Sequence, residues 1–228
     1  MKFAPQLLIF DVDGVLVDVH GSFHRTIVDT VRHFTGRRVT YADIQQWKGR
    51  SGYNDDWRLT TDWVKKLNGH AEYAKVKRQF QKFYWGVDGR RGNVSRERWL
   101  VPRRRLERWA KRAELALFTG RTRRELRYTL EHFGVAHLFR RVVTMDDVER
   151  LKPDPEGLHF LLDGVPPRNA LYLGDNLDDA LASHSARVPF LGVLPRGSAA
   201  HRLRAGQLRR HGARLILHSV NELEKHWK

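Results

Sequence analysis

The feature that most limits the fold of this chain is a short apolar run that ends in two carboxylates. Residues 7–10 read Leu-Leu-Ile-Phe, and Asp11 and Asp13 follow within three positions. Alternate residues of a strand share a face, so these two carboxylates are expected to lie together at a strand end. Such a pair needs a cation or a shared proton, and Gly14 lets the backbone turn away from it. Two solvated turn residues after an edge strand are the alternative.

Three further apolar stretches also precede clusters of polar residues. They are residues 115–118 before Thr119-Gly120-Arg121, residues 142–143 before Lys152-Pro153-Asp154-Pro155, and residues 170–173 before Gly174-Asp175-Asn176-Leu177-Asp178-Asp179. Strands alternate with helical segments, which is typical of a doubly wound parallel sheet. Ligands bind such sheets at the carboxyl ends of the strands, so we expect the four clusters to meet in one crevice.

Length and composition exclude several classes of protein. A chain of 228 residues can bury a proper core and fits one domain with a substantial insertion. It has no cysteine, which excludes disulfides and thiolate metal sites. No apolar run approaches the roughly 18 residues of a membrane span. The first strand begins close to Met1, so we expect no cleaved leader and a cytoplasmic location.

The formal net charge of +16 admits three explanations. A solvated basic surface is the interpretation favoured here, because the arginines are scattered and are not interleaved with aromatic residues. Steering of anionic substrates into a cleft is the second. Nucleic-acid binding is the third and least favoured.

Residues 19–98 interrupt the alternation of strands and helices and show only helical periodicity. Three apolar helix faces are predicted there: Phe23, Ile27, Val31 and Phe34; Trp57, Leu59, Trp63, Val64 and Leu67; and Tyr73, Val76, Phe80 and Phe83. Elsewhere, capping boxes at Thr122–Glu125 and Ser219–Glu222 predict the starts of two helices.

These motifs, in this order, resemble the haloacid dehalogenase superfamily of aspartate-nucleophile phosphatases, and the likeness covers nearly the whole chain. It implies a Rossmann-like α/β core over residues 1–18 and 99–228. It also implies an inserted α-helical cap of subclass I over residues 19–98. The likeness extends to the phosphoglycolate-phosphatase type, so a small phosphorylated metabolite is the expected substrate.

The resemblance implies a catalytic role for each motif. Asp11 is the expected nucleophile, and Asp13 the general acid and later the base. Thr119 and Gly120 would donate hydrogen bonds to the phosphoryl oxygens, and Lys152 would place a positive charge beside them. For Arg121, contact with a substrate anion and a plain surface role stay open.

The expected cofactor is Mg²⁺, because this hard cation bridges carboxylate and phosphate oxygens. Asp11 and Asp175 are the expected direct ligands, and Asp13 would add its main-chain carbonyl. Asp179 is the second acid of the fourth motif and is expected to orient bound water or Lys152. Asp178 is the alternative for that position, but a carboxylate meeting the helix dipole is the favoured explanation of this residue.

The predicted cap carries a loop, residues 48–57, rich in glycine, cations and amides. The resemblance makes Lys48, Arg50 and Asn54 candidates for substrate selection, and a plain helix start capped by Asn54 or Asp55 is the alternative. This loop is similar to a group within subclass I that is sometimes found alongside histidine-biosynthesis enzymes.

Other functions stay open beside the phosphatase. A phosphomutase of the β-phosphoglucomutase type is the runner-up. A dehalogenase proper is disfavoured because Asp13 is present, and a phosphonatase because no cap lysine other than Lys48 is suitably placed. A non-catalytic basic binding protein is the alternative from another class, and no membrane partner is expected. The sequence leaves the oligomeric state open.

Overall fold

The computed structural model describes residues 2–195 and 199–228, and the chain divides into two compact units. The first unit comprises Met1–Val17 and Trp99–Lys228, and the second comprises Asp18–Arg98. The chain leaves the first unit along β2 (Val17–Asp18) and returns along β3 (Arg98–Trp99), and these two short strands pair with each other.

The first unit is built on a six-stranded sheet with the strand order β5-β4-β1-β6-β7-β8. All neighbouring pairs are parallel. The strands are β1 (Leu7–Phe10), β4 (Glu114–Phe118), β5 (Arg141–Val143), β6 (Ala170–Gly174), β7 (Phe190–Val193) and β8 (Ala213–Leu217). Together with the helices that alternate with these strands, this confirms the predicted α/β class with a doubly wound parallel sheet.

Strand β1 lies in the middle of the sheet, and this placement determines where the site forms. All four of its residues are buried, as expected for a parallel strand covered on both faces. Phe10 is level with Leu117 of β4 and with Leu173 of β6. The chain continues from β1 toward β4 on one side, and from β6 toward β7 on the other. Such a change of direction opens a crevice at the carboxyl ends of the two central strands.

Helices alternate with the strands of the first unit: α5 (Arg103–Ala110), α6 (Arg123–His132), α7 (Glu156–Leu161), α8 (Leu177–Ser185) and α9 (Ala199–Arg210). The predicted capping box at Thr122 is confirmed. The predicted terminal α-helix is wrong, because Val220–His226 is a 3₁₀ helix. There the Glu222 carboxylate accepts from the backbone N–H of His218, whereas a capping box would bring it to that of Ser219.

The second unit is helical, as the periodicity predicts. It contains a short π-helix (His20–His24), α1 (Arg25–Thr35), α2 (Tyr41–Lys48), α3 (Asp56–Asn68), α4 (Tyr73–Trp85) and a 3₁₀ turn (Asn93–Arg96). The face predicted for α4 is wrong at two positions. Tyr73 is exposed, and Tyr84 is fully buried with its hydroxyl on the Glu97 carboxylate at 3.0 Å. In the part of the chain that the structure describes, no helix has the length and apolar character to cross a membrane.

Candidate active site

The sheet itself fixes the first residues of the site. The backbone N–H of Asp11, just beyond β1, donates to the carbonyl of Leu173 at 2.8 Å. The N–H of Thr119, just beyond β4, donates to the carbonyl of Val143 at 3.0 Å. Both residues therefore stay on the hydrogen-bond ladder, and their side chains emerge at the carboxyl edge of the sheet.

Lys152 lies at the centre of the cluster, with its side chain almost fully buried. Its ammonium is 2.9 Å from Asp11 Oδ1 and 2.8 Å from Asp179 Oδ1. It is also 2.9 Å from the carbonyl oxygen of Phe118 and from the hydroxyl of Tyr172. A buried cation requires such partners, because burial without them would cost several kcal/mol. The third-motif lysine and the first-motif aspartate are thus in direct contact.

The electrostatics of this pair are dominated by burial. Burial raises the pKa of Asp11 well above its usual value, and the nearby acids Asp179, Asp13 and Asp175 raise it further. Lys152 counters them in part by lowering it. Burial alone would lower the pKa of Lys152, but the charges of Asp11 and Asp179 outweigh it and raise that pKa. Lys152 therefore stays protonated. Further positive charge near Asp11 would favour its ionised form.

Asp179 belongs to the capping box that starts α8. Its backbone N–H donates to Asn176 Oδ1 at 2.9 Å, while its Oδ2 accepts from the N–H groups of Asp175 and Asn176 at 3.0 and 3.2 Å. Its Oδ1 accepts from Lys152 and Tyr172. Asp178 and Asp179 both lie in the first turn of this helix, and the carboxylate of Asp179 contacts the lysine.

Sequence reasoning missed Tyr172, which it treated as an ordinary strand residue. Its hydroxyl donates to Asp179 Oδ1 at 2.7 Å, and burial followed by the charge of Asp179 raises the pKa of the phenol well above its usual value. The phenol therefore stays protonated. A polar residue within the otherwise apolar stretch of residues 170–173 was the available signal.

Asp175 is brought into the crevice by a glycine on the facing loop. Gly14 has a φ of +76°, and a Cβ at that position would lie 2.5 Å from Asp175 Oδ2. Arg204 of α9 also holds Asp175, because its Nη2 donates to the Asp175 carbonyl at 2.8 Å and lies 3.3 Å from Oδ2. Arg204 falls outside the motifs, so the sequence offered no signal for it.

Three of the carboxylates fit a divalent cation. One oxygen from each of Asp11, Asp175 and Asp179 lies within 4.8 Å of the others. A set of carboxylate oxygens suits Mg²⁺ by chemistry, and the raised pKa of Asp11 marks a place where added positive charge is favourable. The Asp13 side chain lies outside this group, so its expected contribution through the main-chain carbonyl stays a prediction.

Arg121 has no surface role. Its side chain is fully buried, and its Nε and Nη2 both donate to Asp13 Oδ1, at 2.8 and 2.6 Å. Its backbone N–H donates to Thr119 Oγ1 at 3.2 Å, so this hydroxyl already accepts one hydrogen bond. Gly120 is partly buried between them. The surface alternative considered for Arg121 is therefore wrong.

The candidate selectivity residues belong to the second unit. Lys48 ends α2 and forms a 2.8 Å ion pair with Asp56, and the guanidinium of Arg50 lies 5.0 Å from the centre of the Trp47 ring. Asn54 is partly buried and precedes Asp55, whose carboxylate caps α3 by accepting from two N–H groups. The helix start considered for this loop is present, and Asp55 is its cap.

Comparison with known proteins gives a family that agrees with this geometry. Residues 5–187 match the model of the haloacid dehalogenase-like hydrolases. An imidazoleglycerol-phosphate dehydratase of Phytophthora nicotianae is 34% identical over 85% of this chain. The match spans only 44% of that protein, so this chain corresponds to less than half of it.

Other matches cover most of both partners. A phosphoglycolate phosphatase of Haemophilus influenzae is 28% identical over 82% of this chain and 85% of its own. The crystal structure of a predicted phosphoglycolate phosphatase from Haemophilus somnus superposes with a TM-score of 0.76 at 23% identity, over 99% of this chain and 98% of that one. At that identity, the structural likeness supports the fold alone.

Proposed function

Because this chain belongs to the haloacid dehalogenase-like hydrolases, we propose that it is a Mg²⁺-dependent phosphatase of small phosphorylated metabolites that works through a phosphorylated Asp11. The observation that carries the proposal is the contact of Asp11 with Lys152 at 2.9 Å, inside a buried set of carboxylates at the edge of the sheet. A carboxylate held beside a buried cation at the edge of the sheet can serve as the nucleophile.

The reaction would proceed in two displacements. The Asp11 carboxylate attacks phosphorus, the bond from phosphorus to the ester oxygen breaks, and the departing alkoxide takes a proton from Asp13. Water then attacks the phosphorus of the acyl phosphate and gives its proton to Asp13, while the bond from phosphorus to the Asp11 oxygen breaks. Inorganic phosphate and free Asp11 result.

The surrounding residues would stabilise the charge that moves in these steps. The Thr119 hydroxyl and the Gly120 N–H would donate to the phosphoryl oxygens, and Lys152 would supply a fixed positive charge. When Mg²⁺ is bound, it supplies positive charge that favours the ionised form of Asp11 and offsets the charge of the phosphate. Asp11 and Asp175 would hold it directly, because both oxygens of Asp179 already accept hydrogen bonds from the protein.

The candidate substrates are taken from the names of the relatives, because the residues of the first unit do not distinguish one phosphate ester from another. Phosphoglycolate is a first candidate, because it is named in a relative matched over most of its length. Imidazoleglycerol phosphate is a second, because it is named in the 34% identical relative. Lys48, Arg50 and Asn54 are our candidates for the residues that choose between such anions.

The test is a phosphate-release screen of the purified protein with Mg²⁺, over phosphoglycolate, imidazoleglycerol phosphate and a set of sugar phosphates. Asp11→Asn serves as the blank, with circular dichroism to show that it is folded. We expect release concentrated on one or two compounds and lost when EDTA is added. Release no greater than that of the blank, or full activity in Asp11→Asn, would contradict the proposal.

A further inference from the structure

The ion pair between Arg121 and Asp13 uses only one of the two carboxylate oxygens of Asp13. Arg121 directs two N–H groups, Nε and Nη2, at the same oxygen, Asp13 Oδ1. A side-on guanidinium–carboxylate pair would use both oxygens. Among the hydrogen bonds that the described residues make to this side chain, all end on Oδ1.

We propose that Arg121 is a positioning residue that holds Asp13 by Oδ1 and leaves Oδ2 as the oxygen that exchanges the proton with the leaving group. This inference rests on the function proposed above. It deepens that function by assigning the proton to one atom and by identifying the residue that orients the carboxyl.

The guanidinium can orient Asp13 because it is itself fixed by α6. Its Nη1 donates to the Thr129 hydroxyl at 2.5 Å, and that hydroxyl donates to the Glu125 carbonyl at 3.1 Å. The Thr129 side chain is fully buried. A side chain held at both ends in this way loses little further entropy when it holds a partner. The guanidinium that holds Asp13 Oδ1 is thus anchored to a residue of α6.

The same contacts argue against Arg121 as a phosphate ligand. Its side chain is 0% exposed, whereas Asp13 is 24% exposed. The Nε, Nη1 and Nη2 atoms all donate to protein oxygens. Because the side chain is fully buried, contact with a substrate anion would require it to move away from these partners, which is costly. Asp13 is the member of the pair that reaches solvent, so Arg121 acts through it.

This role makes a specific kinetic prediction. A residue that orients the proton donor matters most when the leaving group is strongly basic, and little when the leaving group departs without a proton. A residue that binds the phosphoryl group matters equally for both kinds of substrate. The two roles therefore separate in a series of aryl phosphates that differ in the basicity of the phenol.

The experiment compares kcat/KM for phenyl phosphate and 4-nitrophenyl phosphate in wild type, Arg121→Met, Asp13→Asn and the double variant. The parameter kcat/KM covers the steps up to departure of the phenol, so the later attack of water does not enter. We expect Arg121→Met to lose about 10-fold or more with phenyl phosphate and less than about 3-fold with 4-nitrophenyl phosphate. The double variant should lose no more than Asp13→Asn alone, because both changes disable one unit.

The matched control is Arg141→Met. Arg141 is the first residue of β5, so it lies at the amino end of that strand, whereas the site lies at the carboxyl ends. Its Nε lies 2.9 Å from the Glu114 carboxylate. Its variant should keep the wild-type ratio between the two substrates. Thr129→Val provides a second test that retains the charge of Arg121 and removes only the anchor of Nη1. It should shift the ratio in the same direction by a smaller amount, and thermal melts show that each variant is folded.

Three results would overturn the inference. An equal loss on both substrates would assign Arg121 to phosphate binding or to the fold. Losses that multiply in the double variant would show that Arg121 acts independently of Asp13. A gain in activity on removing Arg121 would show that the pair holds Asp13 away from the reaction. Failure of the proposed function itself is distinguishable, because wild type would then release phosphate from no compound of the metabolite screen above the Asp11→Asn blank.

Discussion

At the scale of single residues, Lys152 is a buried cation between two buried carboxylates. Its side chain is 1% exposed and contacts two carboxylates. Replacement by Met would leave Asp11 and Asp179 buried without their cation. Breaking a buried pair in this way typically costs about 3–5 kcal/mol of unfolding free energy. We expect Lys152→Met to lose that amount in urea unfolding and to retain residual activity at most.

Lys225→Met is the control for this prediction. Lys225 is 73% exposed and lies 3.8 Å from Glu222, so its removal should cost less than about 1 kcal/mol. Equal unfolding free energies for the two variants would show that the buried pair contributes nothing particular, and a wild-type kcat/KM in Lys152→Met would place this lysine outside the reaction.

Gly14 provides a second test at this scale. Alanine there would be strained by the positive φ, and its Cβ would lie 2.5 Å from Asp175 Oδ2. The strain costs about 1–2 kcal/mol, and the displaced carboxylate should weaken Mg²⁺ binding. Binding to the folded state at 100 times Kd stabilises a protein by about 2.7 kcal/mol. The Mg²⁺-dependent rise in Tm should therefore be clear in wild type and much smaller in Gly14→Ala.

Gly164→Ala separates strain from displacement. Gly164 has a φ of +73°, and among the described residues, its two chain neighbours aside, no atom lies within 4 Å of the added Cβ. Its variant should lose similar stability and keep the full Mg²⁺-dependent rise in Tm. An undiminished rise in Gly14→Ala would argue against Asp175 as a ligand.

At the scale of elements, the terminal 3₁₀ helix is attached to α5 by Glu224. The Glu224 carboxylate lies 2.7 Å from Arg108 Nη2 and 3.2 Å from Arg105 Nε. Burial raises the pKa of Glu224, but the hydrogen bond from Arg108 and the charges of both arginines outweigh this and lower it overall. A carboxylate with a lowered pKa in the folded state stabilises that state above its unfolded pKa, and the stabilisation is lost as pH falls.

We therefore expect Glu224→Gln to be less stable than wild type at pH 7, and we expect the gap to close below about pH 4. The effect should be at most about 1 kcal/mol, because this site is about one-third exposed. Urea unfolding of both proteins between pH 7 and pH 3 measures it. A gap that widens in acid would have the opposite sign and would contradict the assignment.

The elements most readily predicted from sequence were those whose residues carry the signal themselves. The central strands were predicted to within a residue or two, because a parallel strand buried on both faces reads as an unbroken apolar run. Tyr84 was missed in favour of Phe83, since adjacent aromatic residues fit a helical period nearly equally well. The terminal 3₁₀ helix was missed because Ser219 and Glu222 have the spacing of a capping box without its hydrogen bonds.

The site followed the same rule. Asp11, Asp175 and Asp179 were predicted together because each lies within a few residues of the end of a strand of one sheet. The partner of Arg121 could not be predicted, since Asp13 is 108 positions away and arginine is rarely buried. Arg204 was missed for the same reason, because its contact with Asp175 depends on a distance that the folded chain alone defines. Tyr172 did carry a signal, as a polar residue in an apolar stretch, but its contact with Asp179 was not predicted.

At the scale of the whole molecule, the net charge of +16 raises the question of what the excess of basic residues does. Several arginines form ion pairs within the chain, among them Arg103, Arg123 and Arg150. Pairing holds them in place without reducing the excess of positive charge. If that excess steers anionic substrates, kcat/KM falls as salt rises while kcat stays constant. Steep salt-dependent binding of nucleic acid would instead favour the least expected of the three explanations.

The proposed mechanism depends on Asp11 as the nucleophile that accepts the phosphoryl group. Trapping the phosphorylated enzyme tests this role. The protein is mixed with the substrate found in the screen and Mg²⁺, quenched with acid within one turnover, digested and analysed by mass spectrometry. We expect one added phosphoryl group on the peptide that contains Asp11, removed by hydroxylamine and absent in Asp11→Asn. A phosphoryl group on another residue, or turnover of substrate with no phosphorylated peptide at any quench time, would contradict it.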